Sequence, residues 1–65
     1  MPIISITTGQ LSDVRQKAEL IRGLTSAAVQ ATGIAEQSFT VLIHELDELN
    51  IGLGGRTLAE IKKSR

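Results

Sequence analysis

The sequence predicts a small α+β domain, a single β-α-β unit with parallel strands followed by a short hairpin and a short helix. Three segments predict it: an isoleucine-rich stretch near the N-terminus, a long stretch with helical periodicity, and a second alternating stretch after it. A helix that connects two strands of one sheet forms a right-handed crossover, in which the strands are parallel. A chain of 65 residues has room for one domain, residues 1–65, and for no linker.

The first strand is predicted from Pro2 to Thr8. Its isoleucines at positions 3, 4 and 6 fall on both sides of the strand alternation. Apolar residues on both faces are typical of strands in a parallel sheet that is covered on both sides.

The helix is predicted from Asp13 to Thr32, with Ser12 as its N-cap and Asp13 in its first turn, where a negative charge is favourable. Gly33 follows at the position where a left-handed residue ends a helix. Residues spaced three or four apart form one apolar stripe, which comprises Val14, Ala18, Ile21, Leu24, Ala28 and Ala31.

The second strand is predicted from Phe39 to Glu45. Alternate side chains point to opposite faces, so the strand has one face with Phe39, Val41 and Ile43 and another with Thr40, Leu42 and His44. Two strands and one helix leave an open sheet edge, which predicts a partner chain.

The C-terminal part is predicted to consist of short elements. Residues 46–50 form a polar turn, and the glycine-rich residues 51–55 form a tight hairpin or a backbone that something else approaches closely. Thr57 and Glu60 have the spacing of a capping box, which predicts a brief helix. The cations that close this helix are Lys62, Lys63 and Arg65.

Composition excludes several classes of function. The chain has no cysteine and a single histidine, His44, so we expect neither a disulfide nor a metal site. Seven basic and seven acidic residues give a net charge of zero, and Phe39 is the only aromatic residue. Such a chain lacks the charge and the stacking groups of a nucleic-acid binder. It also lacks a membrane span or a leader pattern, so we expect a cytoplasmic protein.

Size and hydrophobicity together predict self-association. A chain this short buries only about 60% of its unfolded surface, and small domains compensate with disulfides, metals or oligomerisation. Since 42% of the residues are hydrophobic and cysteine is absent, oligomerisation is the compensation that remains.

The candidate catalytic residue is Pro2. If Met1 is removed, the Pro2 nitrogen becomes a secondary amine that accepts a proton, which the nitrogen of an internal proline cannot do. Desolvation beside the isoleucines of the first strand would lower the pKa of such an amine towards neutrality, as general base catalysis requires. The alternative is that Pro2 merely begins an edge strand.

Two other groups of residues are weaker candidates. The glycine run lacks the spacing and the trailing lysine of a phosphate-binding loop, so a structural turn is favoured. His44 with the acids that follow it suggests a metal, but no second imidazole is available, which favours a solvated strand end.

Four features resemble those of the 4-oxalocrotonate tautomerase family over essentially the whole chain. They are Pro2-Ile3-Ile4 at the start, Ser12-Asp13 opening a helix that contains Leu20-Ile21-Arg22, Val41-Leu42-Ile43 followed by Glu45, and Gly52-Leu53-Gly54-Gly55. The resemblance implies sheets joined across dimers and a homohexamer, a trimer of dimers, with a dimer as the alternative. It also implies that Pro2 transfers a proton within a small enol or 2-oxo acid, without cofactor or metal.

The chain departs from the family at three site positions. The arginine that binds substrate carboxylate is matched by Leu11 or Ser12, and the arginine that begins the second strand is matched by Thr40. The aromatic wall of the proline site is matched by Ile51. Arg15 and Arg56 are the predicted replacements for the missing cations, and the alternative is that both are ordinary surface residues.

The sequence therefore predicts a cofactor-independent keto-enol tautomerase with Pro2 as general base. Thr40, Ile51, Arg15 and Arg56 are the predicted substrate-binding residues. Two alternatives stay open: a related hydratase or decarboxylase, and a non-catalytic oligomeric binding or assembly protein of the same fold.

Overall fold

The computed structural model describes residues 1–63. Its elements are, in chain order, the strand β1 (Ile3–Gly9), the helix α1 (Val14–Thr32), the strand β2 (Thr40–Leu46), the hairpin strands β3 (Gly52–Leu53) and β4 (Arg56–Thr57), and the helix α2 (Leu58–Lys63). Short 3₁₀ turns at Glu36–Ser38 and Glu48–Asn50 precede β2 and β3.

β1 and β2 pair in parallel over their whole length, with Ile3 opposite Thr40 at the start. This pairing confirms the predicted β-α-β unit. β2 begins one residue later than predicted because the N–H of Phe39 closes the preceding 3₁₀ turn by donating to the carbonyl of Glu36.

Only one face of this sheet is covered. The large apolar side chains on the face that α1 packs against are half-buried, and they are Ile4, Ile6, Val41 and Ile43. On the opposite face Ile3 is 58% exposed and Leu42 is 42% exposed. The prediction that β1 is buried on both faces is therefore wrong for the single protomer, because one helix covers one face.

The ends of α1 are fixed by local hydrogen bonds. The N-cap is Asp13 and not Ser12 as predicted: the Asp13 carboxylate accepts the N–H of Gln16 at 2.8 Å. The Ser12 N–H and hydroxyl both donate to the Gln16 side chain at 2.6 Å instead. The predicted end at Gly33 is confirmed, with φ of 75° and its N–H donating to the carbonyl of Val29 at 2.9 Å.

The apolar stripe predicted for α1 is largely not the one that packs on the sheet. Val14 is 82% exposed and Ile21 is 40% exposed. The row that is half-buried comprises Lys17, Leu20, Leu24 and Ala28, of which Leu24 and Ala28 belong to the predicted stripe. α1 thus carries two apolar rows, about a quarter turn apart at 100° per residue, and the narrow sheet covers one of them.

Residues 47–63 form a C-terminal arm. The predicted hairpin is confirmed, and its turn uses Gly54 and Gly55, whose φ values are 61° and 84°. The predicted capping box is confirmed too, since Glu60 N–H donates to the Thr57 hydroxyl and Thr57 N–H donates to the Glu60 carboxylate, each at 3.1 Å. Arg65, predicted to help close α2, lies outside the described residues.

The protomer is elongated and has no closed core. Its principal extents are 46 × 24 × 15 Å and its radius of gyration is 15.4 Å, against about 11 Å for a compact chain of this length. Within residues 1–63 no side chain is fully buried. The fold therefore leaves apolar surface on the sheet, on α1 and on the arm.

Candidate active site

Pro2 and Thr40 lie side by side at the start of the two parallel strands. The Thr40 N–H donates to the Pro2 carbonyl at 3.1 Å, which continues the sheet register by one residue. The Thr40 hydroxyl donates to the sulfur of Met1 at 3.4 Å, and Met1 itself is 87% exposed. While Met1 is attached, the Pro2 nitrogen is an amide and has no basic lone pair.

The other predicted site residues lie far from Pro2 in the same protomer. A seven-residue strand spans about 23 Å, and both α1 and the C-terminal arm follow the C-terminal ends of the strands. Arg15 is exposed in the first turn of α1. Ile51 and Arg56 belong to the arm, where the Ile51 carbonyl accepts the N–H of Leu58 at 2.8 Å and Arg56 pairs with Leu53 across the hairpin. Of the predicted substrate-binding residues, only Thr40 therefore lies beside Pro2 within one protomer.

An ionic clamp that sequence reasoning missed holds the loop between β1 and α1. The Glu45 carboxylate accepts the Leu11 N–H at 3.0 Å and pairs with the Lys17 ammonium at 2.6 Å. The hydrogen bond from Lys17, and then that from Leu11, lowers the pKa of Glu45 below its ordinary value. The backbone of Leu11, one of the two loop positions that match the arginine of the resembling family, is therefore fixed by a carboxylate.

No local pattern identifies this clamp. Glu45 and Leu11 are 34 positions apart, and the contact forms because the parallel register brings the ends of β1 and β2 together. The only sequence signal is a lysine on the helix face that packs on the sheet, where a charged residue needs a partner.

In the described residues, the acidic side chains near His44 do not converge with it. His44 is exposed and lies opposite Thr7, while Glu48 pairs with the Lys62 ammonium at 2.6 Å. Within residues 1–63 no three histidine or acidic side chains converge as metal ligands do. Residues 1–63 of a single protomer form no pocket. Within the same residues, neither α1 nor α2 is long and apolar enough to cross a bilayer.

Comparisons with known proteins point to one family. A family model described as tautomerase enzyme matches residues 2–61. A solved structure of TomN, a 4-oxalocrotonate tautomerase homologue in the tomaymycin biosynthetic pathway, is 27% identical, with a TM-score of 0.89 over 95% of each chain. No curated protein matches the chain.

Two further solved structures are more similar in sequence. A heterohexamer 4-oxalocrotonate tautomerase from Chloroflexus aurantiacus is 31% identical over 94% of this chain and 98% of its own, with a TM-score of 0.84. DmpI from Archaeoglobus fulgidus is 36% identical over 89% of this chain and 98% of its own, with a TM-score of 0.77.

Proposed function

This chain belongs to the tautomerase family, and from that membership we propose that it is a cofactor-independent keto-enol tautomerase of small enol or 2-oxo acids in the cytoplasm. Pro2 is its general base once Met1 is removed. The observation that carries the proposal is the position of Pro2: it is half-buried directly before Ile3, which with Thr40 forms the first register pair of the parallel sheet.

The proposed chemistry is a proton transfer by the Pro2 amine. The neutral secondary amine takes a proton from the enol oxygen or the adjacent carbon of the substrate, and the resulting ammonium returns it at the other position. Such a base works best when its pKa lies near the ambient pH. Removal of Met1 also releases the Thr40 hydroxyl from its hydrogen bond to the Met1 sulfur, so that this hydroxyl becomes available to a substrate oxygen beside the base.

A complete site requires more than one protomer in this proposal. Ile51 and Arg56 follow the far ends of the strands from Pro2, as does Arg15, and none of them can reach the Pro2 of their own chain. If they form an apolar wall and a cationic anchor, they do so for the Pro2 of a neighbouring copy. We accordingly propose a homo-oligomer, a hexamer or a dimer; the Chloroflexus relative is a heterohexamer, which supports assembly from several chains of this fold.

If neither Arg15 nor Arg56 replaces the missing arginines, the proposed substrate is less anionic than a dicarboxylate. Neither Thr40 nor the loop that holds Leu11 provides a guanidinium, and the one lysine beside that loop is paired with Glu45. Charge-assisted bidentate bonds to a second carboxylate are therefore lost. A panel of mono- and di-acid enols tests this point, and a clear dicarboxylate preference would contradict it.

The first experiment is an intact-mass measurement on the untagged protein from its own cells, followed by Pro2→Ala kinetics. A mass short by one methionine, with a loss of about 10²–10⁴ in turnover for Pro2→Ala, supports the proposal. Thr7→Ser is the matched control, since it changes β1 away from the base. A retained methionine, or unchanged turnover in Pro2→Ala, would exclude Pro2 as the base.

The second candidate is a non-catalytic oligomeric binding or assembly protein. The contact between the Thr40 hydroxyl and the Met1 sulfur favours it, because it gives a retained methionine a place at the sheet edge. The same mass measurement separates the two, since a retained Met1 is compatible with this candidate alone.

A further inference from the structure

The protomer exposes more surface than a compact protein of its mass. Its accessible surface is 4944 Å², whereas a compact monomer of 7.0 kDa has about 4,000 Å². The excess of roughly 900 Å² is close to the area, about 800 Å², that one partner contributes to a stable interface. The single chain thus has the surface of one side of an assembly.

The sheet face opposite α1 is one part of that surface, and we call it the open face. Its residues come from alternate positions of the two strands, and they are Ile3, Ser5, Thr7, Thr40, Leu42, His44 and Leu46. Two of its large apolar side chains, Ile3 and Leu42, are 58% and 42% exposed. His44 is the only titratable residue of the open face.

The occupant that fits the open face is a second copy of this chain. The face combines isoleucine, leucine and hydroxyl side chains, and apart from His44 it offers nothing that a charged partner could pair with. Two identical faces of this kind can cover each other without leaving an ion unpaired. Hexameric assembly of the Chloroflexus relative agrees with a partner of the same fold.

We propose that His44 makes this self-association dependent on pH, with the assembly favoured when the imidazole is neutral and weakened when it is protonated. The inference rests on the self-association in the proposed function and is independent of Pro2 catalysis. A second copy that covers the part of the open face around Leu42 and His44 removes His44 from water, and a buried cation without a partner is costly.

No neighbouring group compensates a charge on His44. Thr7 lies opposite it, and Leu42 and Leu46 lie on either side of it along β2 on the same face. Glu45, the next residue, points to the α1 face and is held by the Lys17 ammonium. Within residues 1–63 no other acidic or basic side chain belongs to the open face.

The size of the effect follows from proton linkage. Histidine side chains change their charge between about pH 8 and 5, so between about pH 7.5 and 5.5 each imidazole that assembly buries in the neutral form weakens association, by roughly tenfold. The factor applies once for each imidazole that the assembly buries, so the total weakening is tenfold or more. This pH range lies above the titration of the carboxylates.

The test is a dilution series of the full-length protein, followed by analytical ultracentrifugation with fluorescence detection at both pH values. We expect the parent to dissociate at tenfold or more higher concentration at the lower pH, and His44→Gln to show no such change. Equal weakening of both proteins would assign the effect to another group and overturn the proposal, as would no weakening of the parent.

A second variant and two further measurements complete the test. His44→Thr replaces the imidazole by a residue type already present on the open face, and it takes the place of His44→Gln if that variant does not fold. A parent protein that is monomeric at about pH 7.5 overturns both this inference and the proposed self-association. Turnover at that pH is measured in parallel, so that a failure of His44 is told apart from a failure of Pro2.

Discussion

Replacing Thr40 by arginine tests directly what the proposed site lacks. The backbone of residue 40 is fixed beside the base, because the Thr40 N–H donates to the Pro2 carbonyl at 3.1 Å. A guanidinium binds a carboxylate through two charge-assisted hydrogen bonds, whereas the Thr40 hydroxyl offers one ordinary hydrogen bond. Thr40 is also half-buried at the first register position of β2, so a longer side chain can extend from the sheet edge without displacing a core residue.

The expected magnitude follows from what such groups contribute elsewhere. Loss of one preorganised electrophilic group costs about 10²–10³ in rate in enzymes that use it. Thr40→Arg should recover only part of this rate, because the neighbouring side chains do not hold the new guanidinium in place. We expect kcat/KM for a carboxylate substrate to rise roughly tenfold to hundredfold, which lowers the barrier by about 1.4 to 2.7 kcal/mol.

The assay is the ultraviolet absorbance change of enol ketonisation, run on protein whose intact mass shows that Met1 is absent. Thr40→Met is the matched control, since it adds a long uncharged side chain at the same place. The oligomeric state of each variant is measured alongside. Equal kcat/KM for Thr40→Arg and Thr40→Met would refute the reasoning that a cation is missing beside Pro2.

Three further predictions concern other parts of the molecule. Arg15→Ala or Arg56→Ala should lower kcat/KM for a carboxylate substrate, by about tenfold or more for a residue that supplies the missing cation. Glu45→Gln should make the melting temperature depend less on pH in acid. Because the pKa of Glu45 is lowered in the folded protein, the stability that its carboxylate contributes is complete above pH 4.5 and is lost as the pH falls through the lowered pKa. Asp13→Ala should reduce the free energy of unfolding by about 1 kcal/mol, measured by denaturant titration, because it removes the cap of Gln16.

Each of these predictions has a control. Equal kcat/KM for both arginine variants and the parent would retire the idea that either one is the replacement cation. For Glu45 the matched variant is Glu19→Gln, whose carboxylate makes an exposed ion pair with Arg22, and an identical acid profile in both variants would argue against the clamp. Asp13→Asn retains a capping side chain, so a loss of stability as large as in Asp13→Ala would show that capping is not the cause.

The sequence by itself determined the order and type of the main elements. The periodicity of the isoleucines, of the helical stretch and of β2 predicted the β-α-β unit, because alternation and helical spacing are local properties. Gly33, the glycine run and the pair Thr57 and Glu60 likewise predicted a helix end, a hairpin and a capping box, since each depends on residues a few positions apart. Among the proposed site residues, Pro2 was predicted from its place after Met1, and Thr40 from the family resemblance.

The tertiary structure decided what depends on residues far apart in the chain. It selected the row of Leu20 and Leu24 for packing, although the row of Val14 and Ile21 is as apolar, because only the sheet position distinguishes them. It also brought Glu45 to the Leu11 N–H across 34 positions. Finally, the parallel register placed Pro2 at one end of the sheet and the arm with Ile51 beyond the other, so a site that needs both has to be shared between chains.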